Sequence, residues 1–186
     1  MYVFESNTLL VEDCLFYDPL TSDSGKYSFP SQVTHTYNEE GMTLTASSYC
    51  LITGTASYTL EPCILEVTVN KRTTTSLPSP IIFLQDKTVD NTYIGVATSN
   101  SNYMCMMVNK GSSSNKTIYS TPQNGEKVQV IYTGSKVILK NIRNSTTTVL
   151  GEYTWTPQMT EYVIRMDIGT NRSCTIKDLK IKPYSI

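Results

Sequence analysis

The sequence predicts an all-β fold, an antiparallel sandwich of two sheets. Three observations carry that expectation. The composition is poor in helix formers and rich in Ser, Thr, Asn and Tyr, with 13 tyrosines and only 17% charged residues. Thr and Tyr suit a pleated, half-buried surface. Apolar residues alternate over short runs separated by Gly, Asn, Ser and Pro, the pattern of strands and tight turns. No window of about 11 residues carries the stripe of an amphipathic helix. The alternating runs number roughly 12 to 14, which suits a two-sheet sandwich better than a small five-stranded barrel.

In chain order, residues 1–11 read as an extended arm and 12–186 as a single domain, because 186 residues can bury a core without staples. Residues 15–17 open the first strand, and Asp18-Pro19 ends it. Tyr27, Phe29 and Val33 mark a short extended piece broken by Pro30; Met42, Leu44 and Ala46 alternate after a turn at 38–41. Residues 49–52 and 56–60 read as two separate strands. Residues 63–70 are among the clearest, with Cys63, Leu65, Val67 and Val69 on one face. Residues 81–85 and 93–97 form a hairpin, followed by 103–109. Residues 127–132 and 137–142 form another hairpin around Thr133-Gly134-Ser135. Val149-Leu150, Tyr153 and Trp155 precede the last pair of strands.

That last pair dominates the pattern. Tyr162, Ile164, Met166 and Ile168 share one face, with Glu161, Val163, Arg165 and Asp167 on the other. Gly169-Thr170-Asn171 turns the chain, and 174–181 resume extended structure. There the parity slips, Ile176 on one face and Leu179 and Ile181 on the other, so a bulge is expected near Lys177-Asp178.

Net charge is −1, from 15 basic and 16 acidic residues. Such balance argues against a dominant nucleic-acid or anionic-membrane footprint. No run reaches membrane-spanning length, and residues 1–10 lack the pattern of a secretion signal, so synthesis in a cytoplasm is expected. The sequons at Asn115, Asn144 and Asn171 matter only if the protein is exported. The cysteines (Cys14, Cys50, Cys63, Cys105, Cys174) show no zinc spacing and read as buried, reduced thiols.

The apolar strand, Gly/Asn turn and closing Ile176-Lys-Asp-Leu-Lys-Ile181 resemble the final strands of concanavalin A-like lectin/glucanase jelly rolls, laminin-G-like domains included. The opening Leu15-Phe-Tyr-Asp-Pro-Leu-Thr-Ser-Asp-Ser-Gly-Lys-Tyr27 is similar to the start of the same domains. The resemblance implies a jelly roll with its first and last strands adjacent. With the ends adjacent, Cys14 and Cys174 become the pair to inspect for a bridge. It further implies a structural calcium where the ends meet, with Asp18 and Asp178 as ligands and Asp13 or Glu12 as substitutes. Laminin-G-like domains of bacteriophage virions imply a structural, decoration or attachment (fibre/tail) role, with virion proteins as partners, a homo-oligomer and a virion location; an extracellular location is the alternative.

Catalysis is disfavoured. The glucanase branch needs Glu-x-Asp-x-x-Glu on one strand, and residues 64–70 supply only Glu66. Glu161 and Asp167 lie too far apart along one strand to collaborate at about 3.3 Å per residue. The single histidine, His35, has no nucleophile elbow beside it. Glycan binding is the remaining chemistry, with Trp155, Tyr93 and Tyr103 as aromatic platforms and Asp86 and Asn91 as hydroxyl partners. A strand Trp more often packs in a core, so that part stays open. The sequence thus reads as a non-catalytic module of an assembly, with a free-standing carbohydrate-binding module and a glycan hydrolase or lyase as alternatives.

Overall fold

The computed structural model describes residues 14–73, 80–88 and 91–185. The expected arm over 1–11, with Glu12 and Asp13, lies outside them. The described residues form the strands Phe16–Asp18 (β1), Tyr27–Ser28 (β2), Val33–Asn38 (β3), Gly41–Ala46 (β4), Cys50–Thr59 (β5), Cys63–Arg72 (β6), Ile81–Asp86 (β7), Tyr93–Thr98 (β8), Tyr103–Asn109 (β9), Ser112–Ser113 (β10), Lys116–Ile118 (β11), Glu126–Tyr132 (β12), Lys136–Arg143 (β13), Thr146–Thr154 (β14), Glu161–Ile168 (β15) and Arg172–Pro183 (β16). There is no helix among them, so no helix of the described residues could cross a membrane. The count exceeds the sequence expectation because β2, β10 and β11 are only two or three residues long, too short for alternation to register.

Two antiparallel sheets of eight strands make the sandwich. The first runs β14-β13-β12-β6-β16-β4-β3, with β1 also on β16; the second runs β10-β9-β8-β7-β15-β5-β2, with β11 on β9. Inward residues of both sheets build one core, including Leu44, Leu65, Val67, Val130 and Ile181 from the first and Ile52, Leu84, Ile94, Ile164 and Met166 from the second. The ends of the chain are neighbours, Phe16 opposite Ile181 and Asp18 opposite Leu179.

The bulge in β16 is where the parity slip placed it. Asp178 takes φ 53°, and the register against β6 shifts between Lys177 and Lys180. Ile176, Leu179 and Ile181 are therefore all buried despite their mismatched parity. One expectation is corrected: 49–52 and 56–60 are not two strands but the single β5. Gly54 lies mid-strand, where an added Cβ would sit 3.3 Å from the Ile164 carbonyl oxygen, and the β15 register shifts there. All five thiols are free. Cys14 precedes β1, which pairs with the distal part of β16, whereas Cys174 pairs with Leu44 near its start; adjacency of the ends does not bring these two cysteines together. Burial pushes the thiols of Cys63, Cys105 and Cys174 up to about 12, so they are inert.

Candidate functional site

The strands β5, β15, β7, β8 and β9 lie side by side, and alternate residues of each point away from the core. Register aligns those outward residues in rows: Thr53, Arg165, Phe83, Gly95 and Met106 in one, Leu51, Asp167, Ile81 and Ala97 in the next. A cleft of about 400 Å³ opens over these rows, walled by Tyr49, Gln85, Asn91 and Tyr93. Its floor sets Ile81, Phe83 and Met106 beside Arg165 and Asp167. Phe83 and Tyr93 meet with ring centroids 5.0 Å apart at 47°. Gly95 makes this possible, since a Cβ there would strike the Cα and Cβ of Phe83 and the carbonyl of Ile82.

Charge enters from β15. The Tyr49 hydroxyl donates to Asp167 Oδ2 at 2.6 Å, while Asp167 Oδ1 is buried with no partner among the described residues. Burial raises the Asp167 carboxyl above the usual range, against the opposing hydrogen bond from Tyr49 and the nearby Arg165. Arg165 Nε donates to Thr53 Oγ1 at 3.3 Å, which holds the guanidinium along the strand row. Burial, then the Asp167 hydrogen bond, raises the Tyr49 phenol; burial and Asp167 raise Tyr93 as well. Neither phenol is tuned to act as a base near neutral pH.

Among the described residues lining the cleft, Asp167 is the single carboxylate. Glycoside hydrolysis needs two, about 5 Å apart for retention or roughly 6.5–9.5 Å for inversion. Glu161, further along the same strand face, is half-exposed and paired with Lys87 at 3.1 Å. Glu66 lies on the other sheet, where Gln129 donates to it at 2.6 Å and Lys182 at 3.2 Å. The arrangement can hold a ligand with an apolar face and a hydroxylated edge.

Of the residues singled out from sequence, Tyr93 and Asn91 line the cleft. Tyr103 is fully buried between the sheets, and its hydroxyl donates to Glu126. Trp155 is 6% exposed and packs edge-to-face on Tyr132, with centroids 6.3 Å apart. Asp86 is buried at the end of β7, where its Oδ1 accepts from the Thr88 backbone N–H at 2.7 Å and from the Thr88 hydroxyl at 2.9 Å. The structure thus brings two of the five together and turns three inward. Tyr49, Phe83 and Arg165 are not among those candidates, and Asp167 is weighed in the sequence reading only as a rejected catalytic partner of Glu161. The available signal was the non-core face of β15, which carries Arg165 and Asp167 in alternation.

Asp18 and Asp178 meet where the chain ends pair. Asp18 is buried, with Oδ1 accepting the Leu20 N–H at 2.9 Å and Oδ2 the Ser24 hydroxyl. Asp178 Oδ1 accepts the Tyr17 hydroxyl at 3.3 Å. These carboxylates are engaged by local donors, and no three His, Cys, Asp or Glu converge among the described residues.

No family profile matches the chain, and no curated protein matches it. Solved structures do. A beta-glucanase of Bacillus licheniformis superposes with a TM-score of 0.69 at 9% identity, over 91% of this chain and 98% of that one. A Crh5 transglycosylase in complex with NAG gives 0.68 at 12% identity, over 91% and 84%. The exoplasmic/lumenal domain of VIP36, in its Ca2+/Man3GlcNAc-bound form, gives 0.64 at 12% identity, over 87% and 86%. The chain has the jelly-roll fold of concanavalin A-like lectins and glucanases.

Proposed function

We propose that this protein is a non-catalytic glycan-binding jelly roll whose ligand lies in the cleft on the outer face of the second sheet. The observation that carries the reading is the Phe83–Tyr93 ring pair beside Arg165 and Asp167, in an open cleft with one described carboxylate. The C–H face of a pyranose stacks on the half-buried Tyr93 ring, which the 4% exposed Phe83 backs, while its hydroxyls meet the charged groups, where hydrogen bonds are strongest. The VIP36 domain in its Ca2+/Man3GlcNAc-bound form supports that use of the fold. A glycan array followed by calorimetry tests it: an oligosaccharide should bind, and Phe83→Ala should remove binding. An array with no hits, or binding indifferent to Phe83, would count against the reading.

We place this binding in virion attachment, as a homo-oligomeric decoration or fibre/tail module that contacts other virion proteins. The support is the resemblance of residues 15–27 and 176–181 to such domains. Co-purification with particles, and native mass giving a defined oligomer, are the checks. The second reading is a hydrolase, favoured by the neighbours named as a glucanase and a transglycosylase. Reducing-end release from polysaccharides would establish it.

A further inference from the structure

The β14 edge of the first sheet holds a second opening that the cleft does not use. The β13–β14 hairpin turns through Asn144 and Ser145, with φ 48° and 64°, the twist of a tight two-residue turn. Register sets Asn141 opposite Thr148 and Arg143 opposite Thr146. These four, with Ser120 and Leu150, line an opening of about 310 Å³, at the small end of ligand-pocket sizes.

Behind it lies a buried ionic cluster. The Glu126 side chain is 1% exposed. Its Oε1 accepts from the Tyr103 hydroxyl and from the Gln123 N–H at 2.9 Å. Its Oε2 accepts from Asn141 Nδ2 at 3.3 Å and Arg143 Nη2 at 2.9 Å. Arg72 stands close enough for Glu126 to oppose the fall that burial causes in its pKa, and its Nη2 donates to the Pro122 carbonyl. The cluster therefore sets two guanidinium groups against one carboxylate.

The orientation of Asn141 follows from this arrangement. Glu126 requires a donor, so the amide nitrogen faces inward to it and to Tyr103 Oη at 3.3 Å. The amide oxygen faces the other way. Asn141 is 4% exposed, yet its Oδ1 has no partner among the described residues, and neither has Arg143 Nε. Buried polar groups are seldom left so. The Arg143 side chain, 32% exposed, reaches the opening with its remaining donors.

We infer that this opening is a second binding site, for a small hydroxylated carboxylate such as a sugar acid. The carboxylate would take the donors of Arg143 under the net positive charge of the cluster. A hydroxyl would donate to Asn141 Oδ1, and the Ser120, Thr146 and Thr148 hydroxyls would serve either role.

The test is NMR titration of the full chain with glucuronate, with glucose, acetate and inorganic phosphate as separate arms. Glucuronate should shift the Asn141 side-chain amide and bind at least about tenfold more tightly than any of the others. Thr148→Leu, which fills the opening without touching the ions, should remove the shift and leave Tm unchanged. Arg143→Lys keeps a cation for Glu126 but loses the planar fork, and should weaken binding by about tenfold. Equal binding of phosphate or acetate would reduce the site to a simple anion locus and overturn the inference. So would an Asn141 amide that does not respond, or a response that survives Thr148→Leu.

Discussion

The outer faces of the two sheets differ in how far their polar groups are satisfied. On the first sheet the outward residues satisfy one another. Thr43 and Thr175 hydroxyls meet at 2.9 Å, Thr45 donates to Ser173 at 3.0 Å, and Gln129 and Lys182 both donate to Glu66. Such a face needs nothing but water beyond it. On the second sheet Phe83, Met106, Ala97 and Val108 lie on the face away from the core cluster yet are themselves 9% exposed or less, and Asp167 keeps a buried oxygen with no described partner. A self-satisfied polar surface and one that keeps an unspent acceptor follow from one strand pattern, and on the proposed function the second is the surface that a ligand would complete.

The sharpest way to break the contrast is Gly95→Val. The new side chain must displace Phe83 and the Ile82 carbonyl, so we expect a loss of about 2–3 kcal/mol by denaturant unfolding and no glycan binding. Thr43→Val on the other sheet should change stability by less than about 1 kcal/mol and leave binding intact. Next in size, Tyr93→Ala removes half of the ring pair and should weaken glycan affinity about 10- to 100-fold by calorimetry, with a modest loss of stability.

Asp167 and Glu66 sharpen the contrast through pH, with opposite signs. Burial raises Asp167, so the folded state holds its proton more tightly than the unfolded one and ionisation costs stability. Asp167→Asn should therefore gain about 1 kcal/mol near neutral pH. The gain should vanish as pH falls below the unfolded value of about 3.9, while glycan affinity is lost at neutral pH. For Glu66, burial alone would raise the carboxyl, but the Gln129 and Lys182 contacts outweigh it and the result is lowered. Its contribution is present above the unfolded value and fades as pH falls through the folded one. Glu66→Gln should cost about 1 kcal/mol at neutral pH, with the deficit closing in acid, and leave glycan affinity unchanged. Thermal melts from pH 3 to 8 check both.

Much of the fold was legible because burial writes itself into period two. The faces of β15, the β12–β13 hairpin and the β16 bulge can all be read from alternation alone. The cleft could not, because it depends on which strands are neighbours. Phe83 and Arg165 come from distant parts of the chain and meet only because β7 pairs with β15 in that register. Tyr93 and Asn91 were found as an aromatic and a polar residue next to a turn. By the same signal Tyr103 and Trp155 were candidates, and local sequence does not distinguish an aromatic facing the opposite sheet from one facing outward. Gly54 and Gly95 carry the same lesson: each marks a close approach across strands that no single strand reveals.

The central claim is that the outer face of the second sheet, and not that of the first, receives the glycan. Backbone chemical-shift mapping with an array-selected oligosaccharide tests it most directly. Perturbations should cluster at Leu51, Phe83, Tyr93, Met106, Arg165 and Asp167, with Thr43, Thr45, Glu66 and Lys180 silent. Shifts centred on the threonine and lysine face of the first sheet, with the cleft unmoved, would contradict it.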